Sequence, residues 1–159
     1  MIDTRNKFPP ASIPQEKIYK GTIGGLTERI KKLYDAIYDR FGEEGLDLIR
    51  EVSIEYGTQI AESVKAKQGV MDLKKTAALL VRIFNGMLAD GEITEYDDKR
   101  VTIMVKNCPY PFTNPRICQA HTSMEEALVK GLNPDLDYVI EKCIPCGDSE
   151  CWHVLKVKE

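Results

Sequence analysis

The spacing of apolar residues changes once along the chain, and this change constrains the fold more than any other feature. From Leu26 to about Leu88, apolar residues recur every three or four positions, which is the period of an α-helix. After Asp90-Gly91 the period falls to two over residues 101–105, as in a β-strand. The sequence therefore predicts an α/β fold in which N-terminal helices pack on an antiparallel sheet of two hairpins.

Four helices are predicted. The first runs from Leu26 to Gly42, the second from about Glu44 to Lys67, the third from Asp72 to about Leu88, and the fourth from Arg116 to Lys130. The third helix is apolar nearly all round, so we expect it to be the most buried helix and the wall of any ligand pocket. Gly57 lies within the second helix, where it costs roughly 1 kcal/mol relative to Ala, and it therefore indicates close packing of another helix.

The two hairpins are predicted on either side of the fourth helix. The first places a strand from Ile93, a turn at Asp97-Asp98-Lys99 and a second strand over 101–105. The last segment, residues 137–158, is expected to form the second hairpin. A three-residue turn at 147–149 would place Cys143 opposite His153.

Length and charge exclude several classes of protein. The 159 residues suit a single core, and we divide them into an extended, proline-bearing arm over 1–21 and one domain over 22–159. The net charge is −3 and the chain has no basic stripe, so nucleic acid is not an expected partner. No run approaches the ~20 apolar residues of a membrane span, and the N-terminus has no secretory signal, so we expect a cytoplasmic location.

All five cysteines and both histidines fall in the last third of the chain, at Cys108, Cys118, His121, Cys143, Cys146, Cys151 and His153. Free cysteine often acts as a small buried hydrophobe, but packing alone would have scattered some of the five through the first helices. We therefore predict one metal site that includes at least three of these residues. Thiolate ligands favour zinc or, alternatively, an iron–sulfur cluster.

The string Cys143-Ile-Pro-Cys-Gly-Asp-Ser-Glu-Cys151 resembles the C-terminal signature of the 4-vinyl reductase domain family. The strand ending in Asn107-Cys108-Pro109, and Cys118 on a helix followed by Gly131, occur in the same order in that family. They also occur in the related L-2-amino-thiazoline-4-carboxylic acid hydrolase family. The resemblance implies the ligand-binding fold of nitric-oxide-signalling and Golgi-transport subunits, which commonly dimerises through its helices.

The resemblance also implies a set of metal ligands. Aromatic-sensing members of the family hold zinc with three cysteines and a glutamate, and the three cysteines correspond to Cys118, Cys143 and Cys151. The glutamate has no counterpart, because Ile140 occupies its position and the nearest carboxylate is that of Glu141. The candidates for a fourth ligand are Cys108, His121, Cys146 and Glu141.

Two functions remain open at this point. The first is a binding or sensor domain for a small apolar ligand, with a pocket between helix 72–88 and the sheet lined by Tyr56, Phe84 and Met87. The second is a metal-assisted hydrolase of a small sulfur heterocycle such as L-2-amino-thiazoline-4-carboxylate. A homodimer is also expected, because the first two helices carry continuous apolar stripes that one short sheet would not cover.

Overall fold

The computed structural model describes residues 13–158. Their helices and strands follow the predicted order, with a short 3₁₀ helix before the last strand: α1 Gln15–Phe41, α2 Glu43–Gln68, α3 Leu73–Gly86, β1 Gly91–Tyr96, β2 Arg100–Val105, α4 Pro115–Leu132, β3 Leu136–Lys142, η1 Ile144–Cys146 and β4 Cys151–Val157. The strands form one antiparallel sheet in the order β1-β2-β4-β3, so the two hairpins are joined through β2 and β4. The predicted fold class is confirmed.

The helix ends follow local chemistry. Gly42 separates α1 from α2 and has a φ of 57°, in the left-handed region that glycine tolerates. Asp72 caps α3, because its carboxylate accepts a hydrogen bond from the Lys75 backbone N–H at 2.8 Å. The ends of α2 and α3 lie within two residues of the ends that the periodicity predicted. No helix among residues 13–158 is long and apolar enough to cross a membrane.

Helix α1 begins earlier than predicted. It starts at Gln15, directly after Pro14, so residues 15–21 of the expected extended arm are helical. The physical reason is that a proline interrupts a helix only within its interior and is tolerated where a helix begins. The rest of the predicted arm, residues 1–12, lies outside the described residues.

Helix α4 lies at the centre of the fold and packs closely on α2. A Cβ atom added to Gly57 of α2 would lie 2.2 Å from the backbone oxygen of Met124 on α4. Likewise, a Cβ atom on Gly131 of α4 would lie 2.5 Å from the Cβ of Ala61 on α2. Both distances are far below van der Waals contact, so these glycines allow the two backbones to approach. The predicted close packing at Gly57 is confirmed.

The prediction that α3 is the most buried helix is wrong. Leu80 and Ala77 are fully buried against the sheet, but Lys74, Lys75 and Arg82 on the same helix are exposed. Helix α3 is therefore amphipathic and covers the sheet with one face only. The high proportion of apolar residues in α3 was misleading, because it includes small and half-exposed residues that do not require burial.

Buried residues form two clusters, and α4 contributes to both. The sheet core lies between α3, the sheet and the C-terminal half of α4, with fully buried members such as Leu80, Ile103 and Leu155. The aromatic cluster lies between α1, α2, the segment before α4 and the N-terminal half of α4. Its buried members are Leu46, Ile49, Phe112, Ile117, Cys118 and Ala120, and half-buried Tyr34, Tyr38 and Tyr110 pack against them.

The second hairpin is present, but its connection differs from the prediction. Ile140, not Cys143, lies opposite His153, and β3 ends at Lys142 after a bulge. Cys143 begins the connection, and η1 follows it. Proline at position 145 has no N–H for a sheet ladder and favours the first turn of a helix, which explains why the strand stops before it.

Candidate functional site

A cleft of about 670 Å³ runs along the N-terminal half of α4, between α2 on one side and β3 on the other. Its apolar wall includes Ile54 of α2 and Val139 and Ile140 of β3. Ile54 is 43% exposed and Val139 is 40% exposed, so these apolar side chains face solvent across the cleft. The cleft thus presents apolar surface that the chain itself leaves uncovered.

Polar groups are distributed along the cleft. The side chains of Gln119, Thr122 and Ser123 project into it from α4. Arg50 and Arg116 lie at its borders, and both are paired: Arg50 with Asp47 and Arg116 with Glu43, each at 2.5 Å. The cleft therefore offers neutral hydrogen-bonding groups beside its apolar wall, while its two arginines already have carboxylate partners.

Three of the five cysteines line this cleft. Cys118 belongs to α4, Cys143 begins the connection after β3, and Cys146 belongs to η1. Burial raises the pKa of the Cys118 thiol well above its usual range, and the neighbouring Cys143 raises it further. Among residues 13–158 all five cysteines are free thiols. The structure thus places Cys118 next to Cys143, two of the three cysteines that the resemblance implies as metal ligands.

The other two cysteines lie near this group but have backbone partners. The Cys108 thiol donates to the backbone oxygen of Tyr110 at 3.2 Å, and burial raises its pKa to about 11. The Cys151 sulfur accepts a hydrogen bond from the Ile144 backbone N–H at 3.3 Å. Cys151 and His153 are two residues apart on β4, and both are buried.

The donors as placed do not fit a closed zinc site. Within residues 13–158, no three His, Cys, Asp or Glu side chains are grouped as ligands of one ion. Glu141, a candidate fourth ligand, is bound instead to Arg100 and Lys156, and these partners hold its pKa at about 2. Zinc or iron–sulfur binding therefore stays a prediction that rests on the resemblance. Elemental analysis of chain purified without chelators tests it: stoichiometric metal would support the prediction, and its absence would contradict it.

His121 lies in a cage of aromatic rings within the aromatic cluster. Its ring centre is 4.3 Å from that of Tyr110, 5.3 Å from that of Phe112 and 5.8 Å from that of Tyr34. Neither ring nitrogen has a hydrogen-bond partner among the described residues. Burial lowers the pKa of His121 to about 4, so the ring is neutral at physiological pH. Because aromatic rings surround His121, its ring does not lie with the cysteines as a metal ligand.

Glu125 follows His121 by one helical turn on the same buried face of α4. The side chain is only 7% exposed, and its Oε2 atom has no hydrogen-bond partner among the described residues. Burial raises the pKa of this carboxyl to about 8. Sequence reasoning missed Glu125, although its spacing of four from His121 and seven from Cys118 was a signal that it shares their face.

The residues predicted to line a pocket are not brought together. Phe84 is buried in the sheet core, where its ring lies 4.6 Å from that of His153. Tyr56 is 56% exposed on α2, and Met87 follows the C-terminus of α3. Core side chains occupy the interface between α3 and the sheet, and none of these three residues lines the 670 Å³ cleft. Ligand contact at Tyr56, Phe84 and Met87 stays a prediction.

His153 is placed by packing and one hydrogen bond. Its Nδ1 atom lies 2.5 Å from the hydroxyl of Tyr138 on the neighbouring strand, and burial lowers its pKa to about 4. Tyr138 belongs to the sheet core and also borders the cleft. His153 is therefore a buried histidine that is hydrogen-bonded to Tyr138.

Comparison with known proteins supports the fold. No protein-family model and no curated protein sequence matches the chain. Among solved structures, it is similar to subunit 3 of the trafficking protein particle complex from Naegleria fowleri, covalently bound to palmitic acid. The TM-score is 0.60 and the identity 14%, over 84% of this chain and 96% of that chain.

The chain is equally similar to the phenol-responsive sensory domain of the transcription activator PoxR, solved with phenol. Here the TM-score is 0.60 and the identity 13%, over 85% of this chain and 74% of that chain. At these identities the comparisons show the fold alone. The fold implied by the sequence resemblance, shared by Golgi-transport subunits and aromatic-sensing domains, is confirmed.

Proposed function

We propose that the chain binds a small, mainly apolar molecule in the cleft between α2, α4 and β3. The observation that carries the proposal is the cleft itself, whose volume of about 670 Å³ lies within the range typical of small-molecule sites. Its composition supports the same conclusion, because such sites combine an apolar wall with a few polar groups that fix orientation.

The chemistry of the wall indicates the kind of ligand. Ile54, Val139 and Ile140 would contact an apolar ring or acyl chain, and burial of that surface would drive binding. The amide of Gln119 and the hydroxyl of Thr122 would bind one neutral polar group of the ligand, such as a phenolic or carboxylic O–H. Palmitic acid and phenol, the molecules bound by the two structurally similar proteins, both combine these features.

Isothermal titration calorimetry with phenol and with a soluble short-chain fatty acid tests the proposal. Val139→Asp would place a carboxylate on the apolar wall and should weaken binding by about tenfold or more. Val157→Asp is the matched control, because Val157 is a strand valine of similar exposure, 37% against 40%, that does not line the cleft. Equal affinities for the two variants, or no saturable binding of either probe to the wild type, would contradict the proposal.

No observation among the described residues supports the hydrolase alternative, because the side chains that could bind a metal are not grouped around one point. Binding is therefore the function that we carry forward. A ligand-binding domain of this kind would act by changing its contacts with another protein when the ligand is bound.

We also propose that the chain forms a homodimer through α1 and α2. The two helices leave large apolar side chains more than 40% exposed, including Leu26, Leu33, Phe41, Leu48, Val52 and Tyr56. Tyr34 and Tyr38 of α1 are not part of this surface, because they pack in the aromatic cluster. Sedimentation at micromolar concentration should give twice the 18.0 kDa mass of one chain, and a monomer mass would reject the dimer.

A further inference from the structure

Cys143 and Cys146 stand at the two ends of one helical turn. Cys143 directly precedes η1 as its capping residue, and Cys146 is the third residue of that helix. The Cys146 backbone N–H donates to the Cys143 backbone oxygen at 2.8 Å, which closes the turn. Side chains at these two positions of a helical turn lie next to each other, as they do in a capping box.

The two thiols are neighbours on the border of the cleft. Cys146 lies one helical turn after Cys143, and both residues line the cleft. Cys146 is exposed and Cys143 is half-buried, so a reagent in solution reaches the first thiol directly. A residue that follows the turn also stabilises it, because the Asp148 carboxylate accepts a hydrogen bond from the Cys143 backbone N–H at 2.8 Å.

We propose that Cys143 and Cys146 are a dithiol that forms a reversible intramolecular disulfide on reaction with a low-molecular-weight disulfide. The remaining cysteines are poorer partners. Cys118 also lies close to Cys143, but it is buried and less accessible to a reagent in solution. Cys151 is buried as well, and its sulfur already accepts a hydrogen bond from the Ile144 N–H. Cys108 donates its thiol hydrogen to a backbone oxygen. This inference concerns the thiols alone and does not depend on the proposed ligand.

The reaction proceeds by two exchanges. The Cys146 sulfur, as thiolate, attacks oxidised glutathione, forms a mixed disulfide and releases one glutathione thiol. The Cys143 sulfur then attacks the Cys146 sulfur and displaces the second glutathione. Two protein thiols lose two electrons and two protons, and one glutathione disulfide becomes two glutathione thiols. A reducing dithiol reverses both steps.

The test uses the whole chain, freed of metal with a chelator and equilibrated in mixtures of reduced and oxidised glutathione. Remaining thiols are alkylated in acid-quenched samples, and peptide mass spectrometry identifies the modified cysteines. The wild type should form one intramolecular disulfide between Cys143 and Cys146, reversible with dithiothreitol. The Cys118→Ser and Cys151→Ser variants should form the same disulfide at a similar midpoint, because neither residue takes part.

The decisive variants are Cys146→Ser and Cys143→Ser. Cys146→Ser should form no intramolecular disulfide, and Cys143→Ser should stop at the glutathione adduct of Cys146. Circular dichroism checks that each variant is folded. The proposal is overturned if the wild type accumulates only the adduct, or if Cys146→Ser still forms an intramolecular disulfide at the wild-type midpoint.

Discussion

The sheet core and the aromatic cluster share helix α4 but bury different chemistry. The C-terminal half of α4 contributes Leu128, Val129 and Leu132 to the sheet core, all at 2% exposure or less. The N-terminal half contributes Ile117 and Cys118 to the aromatic cluster, beside the caged ring of His121 and the cleft. One end of the helix is thus ordinary apolar packing, and the other end collects thiols, rings and unpaired polar atoms.

The difference has an energetic meaning. An unpaired buried polar group costs about 1–3 kcal/mol, and His121 and Glu125 carry such atoms on adjacent turns of α4. Thr76, on α3, is the counterpart on the side of the sheet core, with a single unpaired hydroxyl. We infer that the sheet core supplies most of the stability, while the aromatic cluster and the cleft beside it carry the function.

The largest expected effect comes from disturbing the close packing of α2 on α4, because both helices contribute residues to both clusters. Gly57→Ala would place a methyl group 2.2 Å from the Met124 backbone oxygen, so α2 and α4 would have to separate. We expect a loss of about 3 kcal/mol or more in the free energy of unfolding, measured by urea denaturation.

Gly24→Ala is the matched control for that change. Gly24 also lies within a helix, but nothing is within 4 Å of its added Cβ. This variant should be unchanged or more stable by up to roughly 1 kcal/mol, because alanine favours the helix. A Gly57→Ala variant as stable as Gly24→Ala would show that α2 and α4 do not pack as closely at Gly57 as described.

A second pair of variants compares the two regions directly. Leu80→Ala removes a fully buried side chain from the sheet core and should cost about 2–5 kcal/mol. Cys118→Ala removes one buried sulfur at the border of the cleft and should cost about 1 kcal/mol. Both are measured by chemical denaturation under reducing conditions. Equal losses, or a larger loss for Cys118→Ala, would contradict the assignment of stability to the sheet core.

A pH dependence of stability is also expected from Glu125. Its pKa is raised from 4.5 to about 8 by burial, so between these values the folded chain retains a proton that the unfolded chain has lost. Its contribution to stability is therefore fully present below about pH 4.5 and is lost as pH rises through about 8.

The buried histidines act in the opposite direction at lower pH. Their pKa values fall from 6.5 to about 4, so the stability they contribute increases between those values as pH rises. Glu125→Gln isolates the carboxyl: this variant should lose less stability than the wild type between pH 6.5 and 8. Glu126→Gln is the control, since Glu126 is half-exposed and paired with Lys130. Parallel stability curves for wild type and Glu125→Gln would contradict the raised pKa.

Much of the fold could be predicted from the sequence because it depends on local spacing. The change of period after residue 90 gave the order of helices and strands, and Gly57 indicated a close helix contact before any partner was known. The prediction of the hairpin connection was wrong. It assumed that simple alternation continues along the strand, but Pro145 ends the strand and thereby sets the register. Periodicity alone does not resolve such a competition.

The site was predictable only in part. The clustering of cysteines correctly brought Cys118 close to Cys143, but the position of the cleft depends on which face of α4 the sheet leaves open. That is a property of tertiary packing and not of α4 itself. Glu125 was missed for a related reason, since a glutamate in a helix is normally exposed and only the packed structure shows its burial.

The most direct test of the division between the two regions is a map of ligand contacts by NMR. In ¹H–¹⁵N spectra of the labelled chain titrated with phenol, we expect saturable shifts at Gln119, Thr122, Val139 and Ile140, with little change along α3. Shifts concentrated on α3 and the sheet core would contradict it, because they would place the ligand in the region that we assign to stability.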